Sequence, residues 1–87
     1  MATAPLVIRK TILAELAGAA PHPLPQSTVL VAVRRLIPDL ELKDLVDHLA
    51  WLRDHSMADF NPDRFEPDVR DMRRWFITDA GLAALKA

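Results

Sequence analysis

The sequence predicts a mainly helical α+β fold: three helices, a two-stranded hairpin and a short C-terminal helix. Three observations predict it. Apolar residues recur every three or four positions in three successive stretches, two β-prone strings flank a charged loop with prolines, and a Thr opens a last Leu-bearing stretch. The 87 residues, 51% apolar and 26% charged, suit one small domain over residues 1–87 with a modest core.

Ile8, Ile12, Leu13, Leu16 and Ala19 share one helical stripe, so the first helix is expected from Leu6 to about Ala19. Pro21, Pro23 and Pro25 then forbid a helix and favour extended backbone, a connector or a very short edge strand. Ser27 is the expected N-cap of a second helix whose apolar face is Val29, Leu30, Val33, Leu36 and Ile37, stopped by Pro38. After a break at Pro38-Asp39-Leu40-Glu41, Leu42, Leu45, Val46, Leu49 and Leu52 trace a third helix to about His55, with Asp39 the best capping residue near its start. Met57 to Phe60 and Met72 to Ile77 are the two strands, expected to pair antiparallel. Thr78 caps the last helix, Asp79 to about Lys86, in which Leu82 and Leu85 lie one turn apart. The expected core is Leu13, Leu16, Leu30, Val33, Leu45, Leu49, Leu52, Phe76, Ile77 and Leu82.

Eleven Lys and Arg against twelve Asp and Glu leave a net charge of −1, so any basic surface must be local. Without Cys there is no disulfide framework, thiolate nucleophile or Cys-based metal site. The apolar stretches are too short, or too interrupted by Glu15 and by prolines, to cross a bilayer, and a soluble cytoplasmic protein is the expectation.

Two strings carry a family resemblance. Leu49-Ala50-Trp51-Leu52-Arg53-Asp54-His55-Ser56-Met57-Ala58 resembles a recognition helix running into a wing. Phe76-Ile77-Thr78-Asp79-Ala80-Gly81-Leu82-Ala83-Ala84-Leu85 resembles the strand-to-helix corner of small bacterial regulators of the ArsR, MarR and PadR kinds. With Ile8-Arg9-Lys10-Thr11-Ile12-Leu13 in the first helix, the chain resembles most the short ArsR-like winged-helix proteins of Mu-like prophages. The resemblance covers nearly the whole chain and implies a winged helix-turn-helix, commonly paired as a homodimer through terminal helices. Where such families commonly place Gly after the recognition helix, this chain has Ser56, so a left-handed turn there costs more than with Gly, or the turn has another shape. The Cys-based metal sensing of the ArsR group is excluded.

In the winged-helix mode the exposed face of the third helix enters the major groove and the wing touches the backbone. From Asp39 to His55 that helix holds five acidic residues against Lys43 and Arg53, a balance of −3, and its outward face is expected to present Lys43, Asp44, Asp47, Trp51 and Asp54. Only Lys43 suits phosphate. The remaining candidates for double-stranded DNA are Arg34 and Arg35 on the second helix and Arg73 and Arg74 in the wing, where Arg64 and Arg70 share the segment with Asp63, Glu66, Asp68 and Asp71. Val7, Val31 and Trp51 fall outside the core stripes and are candidate contacts for a homodimer or another partner.

His48, His55 and Asp44 lie along one helix, but a spacing of seven puts the imidazoles two turns apart, too far for one ion. No phosphate-cradling motif and no nucleophile beside a base is present, so neither an enzyme, a cofactor, a metal nor a small-molecule ligand is expected. Two readings follow: a winged-helix DNA-binding, regulator-like protein with a phage origin implied by the resemblance, or a winged helix used as a protein-interaction or dimerisation module without DNA.

Overall fold

A computed structural model describes residues 3–87. The elements follow in the order α1 (Pro5–Ala19), β1 (Leu24–Pro25), α2 (Gln26–Arg34), α3 (Leu42–Asp54), β2 (Ala58–Asn61), β3 (Arg74–Ile77) and α4 (Asp79–Lys86), with a 3₁₀ turn at Arg70–Met72 before β3. The helices and the β2–β3 hairpin stand where the apolar stripes and β-prone strings place them. A third strand joins them. The sheet order is β1-β3-β2, all antiparallel, with Ala58 opposite Ile77 and Phe60 opposite Trp75 on one side and Leu24 opposite Trp75 on the other. Pro25 is tolerated in β1 because it sits at the sheet edge, where the ladder does not need its missing N–H.

The ends of the helices show where local reasoning meets tertiary structure. α2 starts at Gln26 with Pro25 as N-cap, and Ser27 does not cap it. The chain passes directly from β1 into the helix, and the first free N–H, that of Gln26, is satisfied by the Arg73 carbonyl at 3.2 Å. α2 ends at Arg34, one turn before Pro38, because the residue preceding a proline is driven out of helical geometry; Leu36 is left exposed while Ile37 folds back into the core. α3 is capped by Glu41 without a side-chain bond, so Asp39 lies two residues too early to cap it. Thr78 does cap α4, its hydroxyl accepting from the Gly81 N–H at 3.1 Å.

Ile8, Ile12, Leu13 and Leu16 of α1, Val29 and Val33 of α2 and Leu45, Leu49 and Leu52 of α3 form the core, joined by Ile37, Leu40, Ala58 and Trp75. Leu30 and Ile77 are only partly buried but pack against it. Two expected core residues do not belong there. The strand alternation turns Trp75 inward and leaves Phe76 half-buried on the other face, while Leu82 is 37% exposed because Leu85, one turn on, is the residue of α4 that packs inward.

Ser56 adopts a left-handed conformation, φ 61°, at the exit of α3, the turn for which Gly is the unstrained choice. The Met57 N–H then bonds the Leu52 carbonyl at 2.9 Å, and the Met57 carbonyl accepts from the Thr78 N–H at 3.1 Å. Gly81 is buried against that carbonyl: a Cβ there would lie 2.2 Å from the Met57 oxygen and 2.7 Å from Ile77 Cγ1, whereas a Cβ on Gly18 meets nothing within 4 Å. Gly81→Ala should therefore destabilise by about 1–3 kcal/mol. Gly18→Ala, a helical glycine with open space around it, should stabilise by up to about 1 kcal/mol. Leu49→Ala, at a fully buried position, should cost about 2–5 kcal/mol. Chemical denaturation of the three variants beside the parent protein checks all of these, and a Gly81→Ala protein as stable as the parent would remove the close approach from the account.

Candidate nucleic-acid interface

α3 presents three flanks besides the one that enters the core. Lys43, Asp47, Ala50 and Asp54, at helical spacings of four, three and four, are all exposed, with Asp44 beside them. This outward face carries more negative than positive charge, as expected. Trp51 does not belong to it. Its ring is half-buried on the flank towards α1, with the Arg9 guanidinium 3.7 Å from the ring centroid and the His55 imidazole stacked on it at 3.7 Å and 18°. His55 Nδ1 lies 2.8 Å from the Trp51 carbonyl oxygen, one turn back. The Trp51 ring therefore lies in a cation–π and stacking column that uses much of its surface.

The opposite flank of α3, Val46, Ala50 and Arg53, faces the hairpin across a cleft of about 200 Å³, closed by Phe60, Arg73 and Trp75 and by Gln26 at the start of α2. Phe60 is its platform. The Arg73 guanidinium lies 4.0 Å from the Phe60 centroid and that of Arg53 lies 4.8 Å from it, while Trp75 meets the same ring at 5.0 Å. Arg53 Nε also donates to Asp59 Oδ1 at 3.2 Å, an exposed pair of small energetic weight that aims the side chain. Arg70 and Asp71 complete the rim, Asp71 accepting from Gln26 Nε2 at 3.4 Å.

The other residues singled out from the sequence are dispersed. Arg74 is exposed on β3 and lines a separate hollow with Arg64 and Phe65 of the hairpin loop. Arg34 donates from Nε to the Leu40 carbonyl at 2.7 Å, which ties the end of α2 to the α2–α3 turn, and Arg35 is exposed beside it, at the end of α2 away from the cleft. Lys43 stands alone among carboxylates on α3. Val7 and Val31 are 48% and 59% exposed on two different helices. Sequence reasoning missed Phe60 and gave Arg53 no role. Their signal exists only after pairing, because the hairpin register brings Phe60 beside Trp75 and hence beside Arg73.

Comparison with known proteins bears on the fold. No family model matches the chain, and no curated protein matches it in sequence. Among solved structures it is similar to the PcaV transcriptional regulator from Streptomyces coelicolor, determined in complex with that protein's natural ligand. The TM-score is 0.72 over 98% of this chain and 51% of that one, at 20% identity. The chain folds as a winged helix. At this identity the likeness is one of fold, and the chain spans about half the length of that regulator. In winged-helix terms α2 and α3 are the helix-turn-helix, β2 and β3 the wing, and the cleft lies where α3 meets the wing. Among the described residues no helix is long and apolar enough to cross a membrane.

His48, on α3 beside the Trp51 column, has its pKa lowered from the ordinary 6.5, first by burial and then by the Arg9 charge, against upward pulls from Asp44 and Asp47. The unfolded chain, with the ordinary value, takes up the proton at a higher pH than the folded one. Stability from the neutral imidazole is thus present above about pH 6.5 and is lost as pH falls through the lowered folded value. The melting temperature should fall less between about pH 7.5 and about pH 5 in His48→Gln than in the parent, and equal pH profiles would contradict the lowered value.

Proposed function

We propose that this chain is a winged-helix DNA-binding, regulator-like protein whose contact with double-stranded DNA is made by the arginines of the wing and of the adjoining flank of α3. The observation that carries the reading is the gathering of Arg53, Arg70 and Arg73 around the α3–wing cleft, the place where a winged helix straddles a groove and its bordering phosphates. Arg74 extends the charge along β3, and Lys43, Arg34 and Arg35 are further phosphate contacts in this reading. The outward face of α3 opposes them, so affinity is modest and carried by the backbone rather than by base edges. Such a protein works in the cytoplasm, as a homodimer. Its first-choice interface is α1 with α4, where Leu6 is 62% exposed and Leu6, Leu13, Trp51 and Ala84 line an apolar hollow of about 290 Å³. A phage origin belongs to the same reading and rests on the sequence strings.

A second reading keeps the fold and replaces DNA by a protein partner. It is favoured by one observation, the exposed Asp44, Asp47 and Asp54 on the helix that would enter the groove. Titration of a fluorescent duplex with protein at several salt concentrations separates the two. If the cleft and wing arginines alone neutralise three or four phosphates, the logarithm of the binding constant should fall with the logarithm of salt at a slope of about −3, steeper if Lys43, Arg34 and Arg35 also engage, and Arg74→Ala should weaken binding on any sequence. Replacing Asp47 and Asp54 by Asn should strengthen it. Absence of binding by both the parent and the double Asn variant at protein concentrations above ~10⁻⁴ M at low salt would retire the DNA reading in favour of the interaction module.

A further inference from the structure

Two side-chain donors in the α3–wing cleft have no acceptor. Arg73 Nε and Trp75 Nε1 are both shielded from solvent and, among the described residues, neither has a hydrogen-bond partner. Trp75 as a whole is 4% exposed. Buried N–H groups without acceptors are uncommon because each forfeits the bond it made to water, and two of them two residues apart, Arg73 just before β3 and Trp75 within it, both lining one cleft, mark a place for an oxygen supplied from outside the chain. The cleft has room for it, since about 200 Å³ corresponds to several waters at ~30 Å³ each.

The surrounding groups select the kind of oxygen. Arg53, Arg70 and Arg73 line the cleft against Asp54 and Asp71, and Asp71 already accepts from Gln26. Arg53 keeps its Nε on Asp59, outside the cleft, with its guanidinium over the Phe60 ring. Arg73 shares the aromatic contact, its guanidinium 4.0 Å from the Phe60 centroid, but has no carboxylate on its Nε: no salt bridge forms with it among the described residues. A planar guanidinium with a free Nε is a fork for two oxygens of one tetrahedral or planar anion, and the aromatic surface beneath it reduces the entropy lost when the fork engages. Gln26, 4% exposed, is the first residue of a helix with no side-chain cap, so the positive end of α2 adds to the same field.

We propose that the α3–wing cleft is a phosphate-oxyanion site in which Arg73 supplies the fork, Trp75 Nε1 a second donor, and Arg53 and Arg70 the flanking charge. Its ligand is a phosphate group, carried either by a nucleic-acid backbone or by a small phosphate in solution. The site does not depend on the DNA reading above, because its donors lack partners whatever the protein meets.

The test is a titration of ¹⁵N-labelled protein with inorganic phosphate at constant ionic strength, set by sodium chloride, following the Arg73 Nε–Hε and Trp75 indole resonances. Both should shift saturably, while the Trp51 indole, on the other flank of α3, stays in place. Arg73→Lys, which keeps the charge and loses the fork, should lower phosphate affinity at least tenfold with an unchanged circular dichroism spectrum. Shifts no larger than those produced by chloride would overturn the proposal. So would equal movement of the Trp51 indole, or a folded Arg73→Lys protein that binds phosphate as the parent does. The parent titration stands as the decisive arm if that variant does not fold. A parallel titration with duplex separates the sources: displacement of duplex by phosphate, with the same two resonances moving, assigns the site to the DNA backbone. Saturable phosphate binding without any duplex binding leaves the site standing for a free phosphate while the DNA reading fails.

Discussion

The contact between the Met57 carbonyl and the beginning of α4 is the constraint from which the rest of the wing follows. Ser56 turns the chain back at the end of α3, and Met57 accepts the Thr78 N–H. Thr78 donates its hydroxyl proton to the Ser56 carbonyl while accepting from Gly81, whose missing side chain lets the helix press on Met57. The exit of α3 and the entry of α4 are thereby held at one point. Residues 58–77 must leave and return there, and the pairing of Ala58 with Ile77 follows at once. Each later pair is then set, Phe60 with Trp75 and Asn61 with Arg74, and a slip of one residue would turn Trp75 out of the core. The cleft is a consequence of that register, since Phe60 becomes the platform for Arg73 only when it lies opposite Trp75.

The legible part of the fold was the part governed by near neighbours. Residues three and four apart decide whether a helix has an apolar face, so α1, α2 and α3 could be read from Ile8–Leu16, Val29–Val33 and Leu45–Leu52. Thr78 could be read as a cap because its bond to Gly81 closes within one turn. Ser27 and Asp39 misled for a common reason. At α2 the orphan N–H of Gln26 is satisfied by a strand carbonyl from Arg73, a partner 47 positions away, and no local pattern announces it. At α3 the bend from Ile37 to Leu40, stitched by Arg34 to the Leu40 carbonyl, delays the helix past the range of Asp39. The choice between Trp75 and Phe76 was equally undecidable locally, because both are large and adjacent and only the pairing states which face is inward.

The candidate interface divides along the same line. Arg73 and Arg74 stood out by charge alone, and their different fates could not be read there: one has its guanidinium over an aromatic ring, the other is exposed on the sheet. Arg53 looked like an ordinary surface residue until the hairpin placed Phe60 and Asp59 against it. Trp51 was legible as lying off the core stripe, but its destination was not, since Arg9 approaches it from a helix more than forty residues earlier. Charge and periodicity identify which residues lack an assigned place, and tertiary structure assigns the place.

A net charge of −1 limits how such a molecule can reach a polyanion. At very low salt the Debye length of about 30 Å exceeds the shortest extent of the molecule, 21 Å, so an approaching duplex senses a nearly neutral sum. Near physiological salt, with a Debye length of about 8 Å, it senses whichever patch is closest, and the wing arginines and the α3 carboxylates become separate surfaces. Long-range steering is therefore weak at either extreme. Association should run at the ~10⁵–10⁶ M⁻¹s⁻¹ typical of unsteered partners, with selectivity for the wing-first orientation arising only after contact. Under that regime the salt dependence of affinity in the proposed complex would reside in dissociation, where counterions return to the phosphates that the arginines release. On the proposed DNA reading, the Asp residues of α3 would act by shortening the lifetime of a groove-inserted complex. They would favour a contact confined to the backbone, and the cleft beside α3, lined by Arg53, Arg70 and Arg73, is the proposed place for it.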